Sequence, residues 1–542
     1  MAMYSVLNLL ILKTFLCIIA VNSFLLNNPV VETDCGAVEG IGTSVNEFKG
    51  IPYAEPPVGN LRWKPPVPKS KTAQNCWTGT LKANTFGNSC YQRGMVNKSI
   101  TFGSEDCLYL NVWTPNTNKN ANLHVMVWIH GGFLNYLNGN WPAYSPSEEL
   151  VKATNMVYVS MNYRLNAFGF MALDLLSQRS PNRTSGNYGF MDQILALQWV
   201  QRNIHNFGGN KNSVTVFGQS SGGTSIYALL ASPMAKGLFN KAWMLSASPV
   251  MNKTLAEASK DNLVFLKSTR CSDINCLVQL PADDVLNAIP WDVFPYWEMA
   301  DQNDLPTRDL FDGALPVIDG TVLPLAPTEA WKRGQMVDVP VIISTTAQEI
   351  DDGPAVSDIA QWTWDNYTQR VTDRLSEFPE VNISRVFELY PSGVESPEYQ
   401  YTSMASDLRV TCPNMELAGH MQTSFDSPIY HYVSKARPQV PSKLFGIPHD
   451  ARYAAHAWDV IAFFGAIKHY YKPTQTDNDF IQTIRREIVN FVQTGKPFSD
   501  RWQPFPNTTA LMESNLGVTD FYHKEQCQYW STTGLYAYAW VN

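Results

Sequence analysis

Val214-Thr215-Val216-Phe217-Gly218-Gln219-Ser220-Ser221-Gly222-Gly223 is the stretch whose reading decides the fold. A β-branched apolar run stops at Gly218. Ser220 follows, with Gly218 two residues before it and Gly222 two residues after. The small residues beyond can start a helix. Gly-x-Ser-x-Gly in this setting is a sharp strand-to-helix turn that pushes a serine hydroxyl out of a sheet. Glycine is required on both sides because a Cβ there would meet the neighbouring strand or helix. A helix starting just after Ser220 also turns free backbone N–H groups, that of Ser221 among them, toward a developing oxyanion. A plain strand-turn-helix corner has the same local pattern, so the surrounding sequence has to decide.

Outward from this turn, apolar runs alternate with helical patterns. They are His124 to Ile129, Met156 to Ser160, Val214 to Phe217, Ala242 to Leu245 and Val341 to Ser344. Runs apolar on both faces belong to strands covered on both sides. Strands that alternate with helices imply an α/β fold with a mostly parallel central sheet flanked by helices. Met191 to Asn203 reads as one of those helices, with Met191, Ile194, Leu195 and Trp199 as its buried stripe and Gln193, Gln201 and Arg202 facing outward. Shorter β-rich segments with Gly and Pro turns precede Pro115.

A serine hydroxyl needs a base, and the base needs a carboxylate to orient it. In α/β-hydrolases the chain order is serine, acid, histidine. Glu349, Asp351 and Asp352 all follow the run Val341 to Ser344, and position alone does not choose among them. Of the later histidines, His420 lies in a helical pattern and His431 in a strand pattern, which leaves His449 and His456 as loop candidates. Two strands before the turn, His130-Gly131-Gly132-Phe133 follows an apolar run. Glycines placed there let backbone N–H groups converge on a carbonyl oxygen, the usual second half of an oxyanion hole.

The chain has 542 residues, 45% of them hydrophobic, which is ample for one large core. A net charge of −8 argues against a basic phosphate-binding face, so no nucleic-acid partner is expected. Residues 1–23 read as a secretory signal: Lys13 precedes the apolar run Thr14 to Val21, and a cut after Ser23 leaves 24–542 as a single domain. No later apolar stretch is long enough for a membrane span. Beyond the leader there are eight cysteines, Cys35, Cys76, Cys90, Cys107, Cys271, Cys276, Cys412 and Cys527. An even count in an exported chain predicts disulfides, and none has zinc-ligand spacing with histidines. Sequons at Asn97, Asn182, Asn252, Asn366, Asn382 and Asn507 fit glycosylation in the same compartment.

From about Val31 to Tyr529 the chain resembles the type-B carboxylesterase and cholinesterase family of α/β-hydrolases. Ser104-Glu105-Asp106-Cys107-Leu108-Tyr109-Leu110-Asn111-Val112 resembles one signature of that family, and Val214 to Gly223 resembles another. Asn162-Tyr163-Arg164, Gly186-Asn187-Tyr188-Gly189 and Phe207-Gly208-Gly209 fit between them in order. The resemblance implies a secreted serine esterase acting on a small-molecule carboxylic ester, with no metal or organic cofactor. It implies Ser220 as nucleophile, His456 as base and Glu349 as the orienting acid, with Gly131, Gly132 and Ser221 supplying the oxyanion hole. It also implies the bridges Cys90–Cys107, Cys271–Cys276 and Cys412–Cys527, which leaves Cys35 to pair with Cys76. Arg62 with Glu105, and Arg164 with Asp192, match the family's structural ion pairs.

Four departures stand out. Gln219 replaces the usual glutamate before the serine, as in some insect juvenile-hormone esterases. Phe133 occupies the place of a third oxyanion-loop glycine, or the loop is one residue shorter than usual. Ile350 and Asn210 replace a usual glycine and aspartate. The loop Tyr91 to Gly103 also lacks the tryptophan that holds choline in cholinesterases, so choline esters fit poorly. The family includes non-catalytic adhesion proteins similar to neuroligins and glutactins, the rival reading. Retention of Ser220, Glu349 and His456 favours the enzyme.

Overall fold

A computed structural model describes residues 28–291, 301–310, 315–356 and 358–540. The expected leader, residues 1–23, lies outside the described residues. The centre is an eleven-stranded sheet. In chain order its strands are β1 (Ile41–Gly42), β2 (Asn46–Pro52), β3 (Tyr109–Thr114), β4 (Leu123–Ile129), β5 (Val157–Met161), β6 (Gly209–Gln219), β7 (Lys241–Leu245), β8 (Val341–Thr346), β9 (Ile429–Ser434), β10 (Thr509–Met512) and β11 (Gly517–Thr519). Across the sheet they run 11-10-9-8-7-6-4-5-3-2-1. The seven from β10 to β5 are parallel, and antiparallel strands close both edges. This is the mostly parallel, helix-flanked architecture that the alternating runs implied.

β5, β8 and β9 are buried along their whole length. One face of β6 carries an aromatic layer, with the Phe217 ring 5.0 Å from Trp128 and 5.9 Å from Trp243. Helix Tyr188–Asn203 packs on the other side and corrects one expectation. Gln193 does not face outward: it is buried and donates to Ser225 Oγ at 3.0 Å. Asp192 is also inside, paired with Arg164 at 2.7 Å. The helix is covered over most of its surface, so Asp192 and the Gln193 amide nitrogen find partners in the core, while Gln201 and Arg202 at its end remain outward.

All four expected bridges are present: Cys35–Cys76, Cys90–Cys107, Cys271–Cys276 and Cys412–Cys527. Arg62 pairs with Glu105 and also donates to the carbonyls of Leu277 and Leu280. All six sequon asparagines are exposed. No helix among the described residues is long and apolar enough to cross a membrane.

Candidate active site

β6 ends at Gln219, and helix Ser221–Ala231 begins two residues later. Ser220 joins them at φ 60° and ψ −129°, a conformation that costs an L-residue roughly 1–3 kcal/mol and persists only where the surroundings enforce it. The glycines show how they do so. A Cβ on Gly218 would lie 2.5 Å from the backbone of Gly222, and one on Gly222 would strike the Ile129 carbonyl on β4. The Ser220 N–H is tied to the Leu245 carbonyl at the end of β7 at 2.8 Å.

The 3₁₀ turn Glu349–Asp352 follows β8. Its three acids, equivalent in the sequence, have different surroundings. Glu349 Oε1 accepts from the Thr346 N–H at 2.6 Å and from Ser246 Oγ at 2.7 Å, while Oε2 lies 2.5 Å from His456 Nδ1. Asp351 Oδ2 accepts the N–H groups of Arg452 and Tyr453, both at 2.7 Å, stitching the turn to the segment that leads to His456. The Gln348 N–H donates to the Ala454 carbonyl at 3.0 Å and adds to the seam. Asp352 lines an open cavity.

The two loop histidines are separated in the same way. His456 lines that cavity with Ser220, and its ring makes a T-shaped contact with Trp540, centroids 4.8 Å apart. His449 lies off it, 3.7 Å from Asp351 Oδ1 and 3.9 Å from Glu398 Oε1. Asp351, Glu398 and His449 are a group whose donor atoms are close enough to share an ion. Arg452 already holds Glu398 at 2.8 Å.

Burial works against the His456 imidazolium, but the Glu349 hydrogen bond and charge, aided by Asp352 and Asp459, outweigh it and raise the pKa above the usual histidine value. With Nδ1–H committed to Glu349, Nε2 carries the lone pair. That nitrogen lies 2.9 Å from Gln219 Nε2, whose amide oxygen accepts from the Tyr144 hydroxyl. Tyr144 thereby fixes which end of the amide meets the imidazole.

Gly131 sits against the turn: a Cβ on it would lie 2.6 Å from the Gln219 carbonyl and 2.9 Å from Ser220 Cβ. His130, stacked on Tyr163 at 4.4 Å, donates from Nδ1 to the Gly131 carbonyl at 2.8 Å. Burial pushes its pKa down to about 4, so it stays neutral and holds that peptide's orientation. Gly132, at φ 108°, and Phe133, at φ 58°, continue along the cavity wall. The cavity is about 420 Å³, with Met95, Phe133, Leu137, Tyr144, Phe445 and Ile447 as its main apolar and aromatic lining.

Sequence reasoning did not single out Ser246, Tyr144 or Trp540. Each reaches the site from a distant part of the chain, and no local motif marks it.

The profile of the carboxylesterase family matches residues 27–530. Neurotactin of Drosophila melanogaster is 32% identical over 488 residues, which are 86% of this chain and 55% of neurotactin, so this chain spans little more than half of that relative. Para-nitrobenzyl esterase of Bacillus subtilis is 32% identical over 527 residues, 93% of this chain and 98% of the esterase. A solved para-nitrobenzyl esterase structure superposes with a TM-score of 0.73 at 30% identity, covering 93% of this chain and 99% of its own. The chain belongs to the carboxylesterase family, a family of carboxylic ester hydrolases.

Proposed function

We propose that the chain is a secreted, glycosylated serine carboxylesterase that cleaves small-molecule esters through an acyl-enzyme. The observation that carries the reading is the 2.5 Å contact between Glu349 Oε2 and His456 Nδ1 on the cavity that Ser220 also lines. Ser220 Oγ attacks the ester carbonyl carbon while its proton passes to His456 Nε2. The carbonyl oxygen becomes an oxyanion beside the N–H groups near Gly131, Gly132 and Ser221, each worth a few kcal/mol to the transition state. Collapse expels the alcohol, which takes the proton from His456. Water then repeats the sequence on the acyl-enzyme, releasing the acid and restoring Ser220. Glu349 holds the Nδ1–H tautomer and stabilises the imidazolium.

In the resting site Nε2 already accepts from the Gln219 amide, so the serine proton has to share or displace that donor. Export and glycosylation are supported by the four disulfides, the exposed sequons and the leader-like residues 1–23.

Labelling with a fluorophosphonate tests the reading. The purified secreted chain is expected to be labelled and Ser220→Ala to be silent. A folded wild type that is not labelled would refute it and leave a binding protein.

A further inference from the structure

The reactive cavity is lined by two residues that each carry a polar atom no described residue satisfies. Asp352 is 8% exposed, and its Oδ1 has no hydrogen-bond partner among the described residues. Gln302 is 7% exposed, and its amide Nε2 likewise has no partner among the described residues. Both line the cavity that holds Ser220 and His456. Their segments run side by side: Asn303 Nδ2 donates to the Gly353 carbonyl at 2.7 Å, and the Ala355 N–H donates to the Asn303 carbonyl at 3.0 Å. The Gln302 carbonyl accepts from Trp540 Nε1 at 2.6 Å, which ties this backbone to the ring packed on His456.

Buried polar groups are nearly always hydrogen-bonded, and an unmet one carries the full cost of losing water. The contrast within one turn sharpens the point. Glu349 has three partners on its carboxylate and Asp351 has two backbone donors on Oδ2 with Oδ1 unpartnered, whereas no described residue hydrogen-bonds to Asp352 Oδ1. Burial, offset in part by His456 and reinforced by Glu349 and Asp351, pushes the Asp352 pKa up to about 6, so at neutral pH it is an ionised acceptor. Lys98 also lines the cavity but is exposed. An unmet acceptor and an unmet donor on two neighbouring segments of one cavity wall are together the complement of a hydroxyl, which offers both.

We propose that Asp352 and Gln302 form a substrate subsite for a hydroxyl group on one arm of the ester, its O–H donating to the Asp352 carboxylate and its oxygen accepting from the Gln302 amide. The inference rests on the esterase reading of the cavity and names the substrate class, hydroxylated carboxylic esters. Much of the remaining lining is apolar, Met95, Phe133, Leu137, Phe445 and Ile447 among it, so the rest of each arm is hydrocarbon.

The test measures binding in the Ser220→Ala chain, where no turnover intervenes. Two pairs differ only by hydroxyl against methyl: 3-hydroxypropyl butanoate with butyl butanoate, and ethyl 3-hydroxybutanoate with ethyl 3-methylbutanoate. Calorimetry is expected to show the hydroxyl member binding at least about fivefold tighter in one pair, because a site built for a hydroxyl rejects the analogue that lacks it. Adding Asp352→Asn or Gln302→Met should bring that ratio to within about twofold. If one variant fails to fold, the other carries the comparison. Ratios below fivefold in both pairs, or a preference that survives both substitutions, overturn the proposal and leave water as the occupant. Wild-type hydrolysis of the same esters is scored separately. If none is cleaved, the esterase reading falls, while the binding ratios still decide the subsite.

Discussion

Replacing Gln219 by glutamate changes one atom that faces the His456 imidazole, the base in the proposed mechanism, and reverses the sign of its contact. The Gln219 amide donates to His456 Nε2 at 2.9 Å, and a donated hydrogen bond stabilises the neutral imidazole. Removing it forfeits about 1 kcal/mol of that preference. A carboxylate in the same place accepts from the protonated Nε2–H and adds about 1.5–3 kcal/mol to the imidazolium. The sum corresponds to roughly two to three pKa units upward. Glu349, Asp352 and Asp459 already act on His456, so the new acid will hold part of its own proton, and the expected rise is about one unit or more. The base works only when neutral, so the acid limb of kcat/KM against pH has to move to higher pH by that amount. The assay is hydrolysis of a neutral ester from pH 5 to 9, with the Ser220→Ala chain as blank. An acid limb that stays in place or moves downward would show that residue 219 does not touch the base nitrogen.

Asp352 makes a second pH-dependent prediction. Its folded pKa of about 6 lies above the ordinary 3.8, so the folded state is penalised above pH 6 and unaffected below about pH 4. Asp352→Asn is expected to stabilise the chain by at most about 3 kcal/mol at pH 7.5, roughly 3 °C in Tm, and hardly at all at pH 4. Equal shifts at both pH values would sink this account. Ser246→Ala removes one of two donors to Glu349 Oε1 and should lower kcat/KM about tenfold, with most of the loss in kcat. A change confined to KM would place Ser246 outside the acid's support. Phe133→Gly relieves a left-handed φ of 58° and opens the wall of the cavity, so the rate on a branched acyl ester should rise relative to an acetate ester. An unchanged ratio means the ring lies away from the acyl group.

What could be read from the residues follows from how local each constraint is. The elbow was legible because Gly218 and Gly222 are fixed by contacts within a few residues and with one adjacent strand. The mostly parallel sheet was legible in outline because runs buried on both faces carry their own signature. Gln193 was misplaced because a periodic stripe names one buried face and says nothing of a helix covered over most of its surface. Glu349, Asp351 and Asp352 are indistinguishable by position; they differ only in which distant donors reach them, Ser246 for the first and Arg452 and Tyr453 for the second. The orphaned Gln302 amide was invisible for the converse reason, since a missing partner leaves no pattern in a sequence.

The contact of Trp540 with His456 has a bearing on when the protein becomes reactive. A ribosome delivers Ser220 first, then Glu349, then His456, and Trp540 only long afterwards. The nucleophile's turn can form early, since β4, β6 and β7 are already made. The imidazole, however, keeps one side uncovered until the residues around Trp540 arrive and fold back, pinned through Arg409 to the Tyr538 carbonyl at 2.6 Å. Nascent or prematurely terminated chains should therefore carry an unfinished site and leave the esters around them untouched.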